Sequence, residues 1–425
     1  MGNVYAFWES WIIPKAVGFY NNIYLTAIRQ SFYILIPFWL IISILDVIGN
    51  VFLNPQGILL SNQGLNLGFW LTGGLSGEEY LQSDLMQTLK IYHQVVDAGY
   101  GIITIIITLT LSGRLSEIWQ SDKYLTMFCA LSSFIFMSPL PDVNQVSFTD
   151  YFSQRGFFTA FTVTFASSWL FAHLSKWKRI ILNVPVSMAD KLPYYISVFL
   201  PVLFTLLTFM LLSILTLILK PDFDVIIKSL SDSLLFQEPF FVLVYQSIVW
   251  LLWWFGIPGY GVTSSIQEIA YIPAQFTNQF GDTNYVFTAG FFEAGVIHVL
   301  GLMISILVFS QHELWRSISK FSIPIMMFNI QEVFLFGLPV VLNPIFLLPY
   351  ILAPLANTLV GYVAIYWGIV PIFQIDLPWT MPLFLSAAIG THSIMGCILQ
   401  IVWLIMDIFI YAPFVITANS IEVDN

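Results

Sequence analysis

Charge is scarce in this sequence. Asp, Glu, Lys and Arg make up 9% of its 425 residues, where soluble domains carry about 25%. Hydrophobic residues make up 58%, and the mean hydropathy is +0.83. A chain of this length has too few polar side chains to cover a folded surface in water. That excludes a soluble globular protein and leaves lipid as the solvent. Cysteine is scarcer still: Cys129 and Cys397 are the two in the chain. Both lie in apolar runs, which points to buried small side chains rather than a disulfide framework or a metal site. No basic stripe or nucleic-acid motif is present. Walker, GxSxG and HExxH patterns are also missing, so no metal or cofactor is expected. The first thirty residues lack the apolar core and small-residue cleavage site of a signal peptide.

What the sequence has is length in its apolar runs. Stretches near 30–52, 94–112, 124–140, 157–174, 194–219, 239–257, 286–309, 342–368 and 394–417 approach the length of a bilayer crossing. The runs are continuous, whereas a β-barrel alternates polar and apolar residues over about ten-residue segments. The fold class is therefore an all-α polytopic membrane protein. Three further stretches, 257–276, 321–341 and 372–392, are apolar but broken by Gly, Pro and polar residues. Irregular backbone at membrane depth is tolerated where it is buried in protein or lines a wet cavity, and transporters place their sites there.

The basic residues give an orientation. Lys15, Arg29, Arg114, Lys123, Lys176, Lys178, Arg179, Lys191, Arg316 and Lys320 mark cytoplasmic regions. The acidic loop 53–92 and the stretch 139–155 read as external. About ten crossings with both termini inside follow, the tenth being a short polar crossing within 257–285. The aromatic-rich N-terminus YAFWESWIIPKAVGFYNNIY reads as an interfacial segment. KPDFDVIIKSLSDSLLF (220–236) reads as an amphipathic connector.

An ionisable residue inside a span costs about 2.5–3.5 kcal/mol on insertion scales and marks function by default. Glu332 is the foremost case. It lies in FNIQEVFLFGLPVVLNP (328–344), beside Asn329 and Gln331. A carboxylate held there can act as a general base; the alternative is a Glu that bonds nearby backbone and only holds a hairpin. WLLWWFGIPGYGV (250–262) offers aromatic faces that suit the C–H faces of sugar rings. Taken alone, an interfacial aromatic belt is the better reading of it. IDLPWTMPLFLSAAIGTHSIMG (375–396) sets Trp379 between prolines and includes His392, a candidate ligand contact or an interhelical hydrogen-bonding residue. Glu293 and His298 are five apart and do not share a helix face. Asp46 and Asp407 are expected near span ends, where they snorkel or cap.

These residues carry a resemblance. FNIQEVFLFGLPVVLNPIFLLPYILAP resembles the signature FNINEPVIFGLPIVLNP…PFILAP of the membrane-embedded enzyme IIC of the bacterial phosphotransferase system (PTS), lactose/cellobiose/diacetylchitobiose branch. LTAIRQSF near residue 25, WWFGIPG, and the ending LPWTMPLFLSAAIGTHSIMGCILQIVWLIMDIFIYAPF are similar to further stretches of that family. The likeness runs through almost the whole chain.

The resemblance implies the IIC fold of the glucose superfamily, with ten transmembrane helices and two re-entrant hairpins. It implies a homodimer in the bacterial inner membrane. Residues 1–220 would form a five-helix dimerisation half, 221–238 a connector, and 239–425 the half that encloses a β-linked disaccharide. It implies a permease that presents the sugar's 6-hydroxyl to a phosphocysteine of a separate EIIB, itself charged by EIIA. Phosphotransferase activity then belongs to this chain only together with EIIB. By motif, Glu332 matches the activating carboxylate, Trp253 and Gly256 match sugar contacts, and Trp379 matches a second aromatic platform. Asn329 and Gln331 lie on the ligand-binding strip, and Gln331 stands where the family has Asn. The departures are Pro258 in place of a family His, Val333 in place of a Pro, and AGVI (294–297) in place of a glycine-rich stretch. His298 and His392 are the imidazoles available to replace the missing one. The departures also motivate a second reading, a degenerate sensor without phosphotransfer. A third, an ion-coupled carrier, fits the motifs least.

Overall fold

The computed structural model of the protein describes residues 18, 21–54, 59–60, 66–75, 79–80, 82–138, 152, 154–183, 192–218, 235–281, 283–338, 340–375 and 377–419. The expected interfacial segment over residues 1–20 falls outside these apart from Gly18. Residues 139–151 of the expected external stretch and 220–234 of the expected connector do so too.

The described residues are helical, with no strand among them. The longer helices are α1 (Ile23–Val47), α2 (Asp84–Ile118), α3 (Lys123–Met137), α4 (Phe157–Leu174), α5 (Phe199–Ile218) and α6 (Pro239–Trp254). After short helical pieces over 259–271 come α7 (Ile272–Phe280), α8 (Ala289–Gly295), α9 (His298–Phe309) and α10 (Glu313–Met326). The chain continues with α11 (Glu332–Gly337), α12 (Pro344–Tyr366), α13 (Leu385–Gly390) and α14 (Ile394–Ala418). Seven helical segments among the described residues are long and apolar enough to cross a membrane, and α3 and α6 are shorter apolar helices. Each of the nine continuous apolar runs in the sequence falls on one of these.

Local chemistry sets the helix ends. The Asp122 side chain accepts from the Leu125 N–H at 2.9 Å and starts α3. Asn343 accepts from Ile345 N–H at 3.0 Å, with Pro344 in the first turn of α12. Inside the helices, many buried hydroxyls bond back to the preceding turn. Ser31 donates to the Ala27 carbonyl at 2.8 Å, Thr108 to Thr104 at 2.7 Å, and Ser167 to Val163 at 2.7 Å. This satisfies a polar group that has no water to turn to.

The chain forms two compact units. One comprises 21–38 and 97–223, the other 1–20, 39–96 and 224–425. In the smaller unit, Phe134, Phe152, Ala160, Val163 and Phe209 form a buried core. Phe134 meets Phe152 edge-on at 5.4 Å, and the Thr104 hydroxyl donates to the Phe152 carbonyl. In the larger unit, α9 and α14 approach closely at Gly301. A Cβ added there would lie 2.5 Å from the Asp407 Cβ. Gly361 on α12 likewise makes room for Trp403 and Phe291. Small residues of this kind let membrane helices pack at short range. The outer side of α14 leaves Ile394, Ile398, Ile401, Val402, Ile405 and Phe409 exposed, a stripe that suits lipid and not water.

One expectation is corrected here. Asp407 does not snorkel at a span end. It lies in the middle of α14 with no exposed surface and accepts from Asn357 Nδ2 on α12 at 3.0 Å. The hydropathy of the run fixed its span but not the register that turns Asp407 inward. Gly301→Ala is expected to destabilise the protein by about 1–3 kcal/mol, as overpacking does, read as a lowered unfolding midpoint in detergent.

Candidate functional site

The broken segments meet in the larger unit. Helix α10 ends at Met326, and Asn329 takes a left-handed conformation with φ 65°. Short helix α11 then starts at Glu332. A helix start leaves backbone N–H groups without intrahelical partners. The Glu332 carboxylate lies against its own N–H and that of Gln331, and the indole N–H of Trp39 on α1 faces it. Trp39 packs on Phe336 with ring centres 5.6 Å apart. Glu332 is 3% exposed, and its Oε2 has no hydrogen-bond partner among the described residues.

The second irregular segment, 372–392, is held by carboxamides. Gln275 on α7 donates to the Ile375 carbonyl at 2.5 Å and accepts from the Gly290 N–H at 2.7 Å. Asn278 donates to the carbonyls of Phe373 and Tyr285, at 2.9 and 2.8 Å. Gln400 on α14 accepts from the Phe384 N–H at 2.7 Å and donates to the Ala294 carbonyl at 2.9 Å. Asn329 donates to the Trp379 carbonyl at 2.9 Å, and the Leu383 N–H donates to the Met327 carbonyl at 2.8 Å. The segment after α10 and the segment after residue 372 are thereby tied together.

The third stretch joins the first. The Trp254 indole donates to the Asn343 carbonyl, and the Leu342 N–H to the Trp254 carbonyl, both at 2.9 Å. Gly256 adopts φ 81°, which favours glycine. The turn that follows presses Gly259 against the Val249 backbone, where a side chain would not fit. Trp253 is buried, with its indole N–H unpartnered among the described residues. His298 is fully buried: its Nδ1 pairs with the Tyr411 hydroxyl at 2.8 Å and its ring meets Trp250 edge-on at 4.1 Å.

A small cleft lies between these segments, lined among others by Glu293, Asn329, Phe373, Trp379 and Ser386. Of the residues singled out in the sequence, Asn329 and Trp379 line it. Gln331 and Glu332 lie two and three residues after Asn329 and are buried. Trp253 and Gly256 are joined to the same assembly through Trp254, away from the cleft wall. The structure does not bring His392 to the site. It is exposed at the end of α13 with φ 51°. His298, spent on Tyr411, does not line the cleft either. Glu293 is the lining residue that spacing set aside. Its charge inside an apolar run was the signal, and its separation from His298 hid it.

The polar wall, the aromatic ring of Trp379 and an unpartnered buried carboxylate oxygen suit a ligand with hydroxyls on one face and C–H on the other. The family model described as "Phosphotransferase system, EIIC" matches residues 79–354. The oligo-beta-mannoside-specific EIIC component of Bacillus subtilis is 25% identical over 96% of this chain and 92% of its own. The cellobiose-specific EIIC component of Lactococcus lactis is 28% identical over 44% of this chain and 45% of its own. The lactose-specific EIICB component of Staphylococcus aureus is 26% identical over 94% of this chain and 70% of its own. The crystal structure of ChbC, the IIC component of the N,N'-diacetylchitobiose-specific system, aligns over 96% of both chains with a TM-score of 0.48 and 21% identity.

Gln400→Leu is expected to leave the Phe384 N–H and the Ala294 carbonyl unpaired, at about 1–3 kcal/mol per buried group. The checks are the unfolding midpoint in detergent and faster amide exchange over residues 372–392.

Proposed function

The chain belongs to the phosphotransferase system EIIC family, and from that premise we propose that it carries a β-linked disaccharide across the membrane and presents its 6-hydroxyl to phosphorylated EIIB. The observation that carries this reading is Glu332: a buried carboxylate with an open oxygen, at the start of a short helix and three residues from a cleft-lining amide. The sugar's 6-hydroxyl oxygen attacks the phosphorus on the EIIB cysteine, the S–P bond breaks, and the thiolate leaves. Glu332 takes the hydroxyl proton. Phosphoryl transfer asks for alignment and a base within reach.

Trp379 supports a ring face and Asn329 orients hydroxyls. Gln331, Trp253 and Gly256 shape the sugar's surroundings from behind the wall. His392 has no part in this assignment, because it is exposed and does not line the cleft. EIIA and EIIB are the protein partners, and a second copy of the chain completes a homodimer through residues 1–220, with 221–238 as connector and 239–425 as the sugar-binding half. Both termini face the cytoplasm, following the basic residues. The sensor reading gains nothing from the site, where Glu332 keeps an open oxygen.

The test uses vesicles holding the full chain with EIIB and the general PTS proteins. Labelled cellobiose and other β-disaccharides are expected to accumulate as sugar phosphate. Glu332→Gln is expected to lower that formation about 10²–10⁴-fold, the usual contribution of a general base, with sugar binding retained by calorimetry. Binding without any sugar phosphate from the native chain would overturn the permease reading.

A further inference from the structure

Tryptophan in membrane proteins gathers at the two interfaces, where its ring meets apolar chain and its N–H meets water. Trp39 does not follow that rule. It lies inside α1, away from both ends, with no exposed surface. A buried indole N–H usually finds a partner in the protein. Trp250 and Trp254 do so: the first donates to Gln246 Oε1 at 2.8 Å and the second to the Asn343 carbonyl at 2.9 Å. The indole N–H of Trp39 faces the Glu332 carboxylate. Packing places it there independently. Glu332 and Phe336 are four residues apart and share one face of α11. Trp39 covers Phe336, with ring centres 5.6 Å apart. All three residues belong to the larger unit.

A buried carboxylate can be held by a cation, by a group that also takes protons, or by a group that only donates. No cation acts on Glu332 among the described residues. The buried Tyr350 on α12 is the titratable side chain that senses its charge. The groups set against the carboxylate are its own N–H, that of Gln331 and the Trp39 indole. An indole N–H donates and never accepts. It therefore favours the carboxylate over the carboxylic acid and cannot compete for the proton that Glu332 takes. We infer that Trp39 is a positioning residue for phosphotransfer, its indole N–H keeping Glu332 ionised and fixed for the sugar hydroxyl. This rests on the assignment of Glu332 as the base. Hydrogen bonds of this kind are often long in an unliganded protein and tighten when substrate is bound.

The experiment follows sugar-phosphate formation from cellobiose against pH, in vesicles holding the full chain, EIIB and the general PTS proteins. Two replacements remove the N–H. Trp39→Phe keeps a ring against Phe336, and benzothienylalanine at the same position keeps the indole shape with sulfur in place of N–H. Each is made in the native chain and in Glu332→Gln. One EIIB preparation serves throughout, so its own titration is common to every profile. Both replacements are expected to move the acid limb of the native profile to higher pH by about one unit or more, the loss of one hydrogen bond to a charged group. Cellobiose affinity by calorimetry is expected to stay within about twofold of native. In Glu332→Gln the same replacements are expected to change the residual rate by less than about threefold, because no carboxylate is left to hold. An unmoved acid limb, or an equal fractional loss in both backgrounds, would sink the inference and leave Glu332 as the base. A Glu332→Gln chain that forms sugar phosphate as fast as the native chain would overturn the base assignment, and the inference with it.

Discussion

Backbone inside a membrane has no water to pair with, so every N–H and C=O that leaves a helix must find a partner in the protein. In this chain the partners are carboxamides. Gln275, Asn278, Asn329 and Gln400 reach from helices or helix ends to the carbonyls and amides of residues 372–392 and of the turns around 285–294. A carboxamide carries a donor and an acceptor on one short arm. Gln275, Asn278 and Gln400 therefore each close two or more backbone groups in different segments at once, and Asn329 closes one. The cleft exists because irregular chain is stable here, and irregular chain is stable because these four side chains hold it.

The same accounting explains where the open polar atoms are. Helical stretches satisfy their own backbone, and many of their Ser and Thr hydroxyls fold back onto the preceding turn, while Ser43, Ser133 and Ser168 have no partner among the described residues. Asn329 Oδ1, Gln331 Oε1 and Glu332 Oε2 stay unpartnered among the described residues, and they are clustered within four residues of one interrupted segment. Buried polar atoms without partners are rare in folded proteins and mark either strain or a ligand. Their concentration next to a cleft with an aromatic wall favours a ligand. Glu332 is tolerated at this depth by the N–H groups of a helix start and by Trp39, rather than by a counter-ion.

The helix inventory was legible because apolar length is a local property. Each long run maps onto a helix, and the three interrupted runs are interrupted in the structure as well. Glu332 and Trp379 stood out for the same kind of reason: a charge and an aromatic placed where neighbours make regular helix unlikely to continue. The carboxamides did not stand out. Gln275 and Gln400 are 125 residues apart in the chain, and nothing in the composition of either neighbourhood says that both serve one segment. Asp407 was placed poorly for a related reason. Facing inward or outward depends on the rotation of a helix, which a uniformly apolar helix does not record, since both of its sides are greasy.

What the sequence determined by itself is the solvent, the helical class and the positions at which helix is broken. Those depend on hydropathy summed over some twenty residues and on the backbone limits of Pro and Gly. What only the tertiary structure decided is which broken segments meet, which polar atoms are spent on one another and which remain open. His392 and His298 show the difference: two imidazoles equal in the sequence, one exposed at a helix end and one locked onto Tyr411. Hydrogen bonds are short and directional, so their pairing is settled by contacts across a hundred residues of chain and not by the residues on either side.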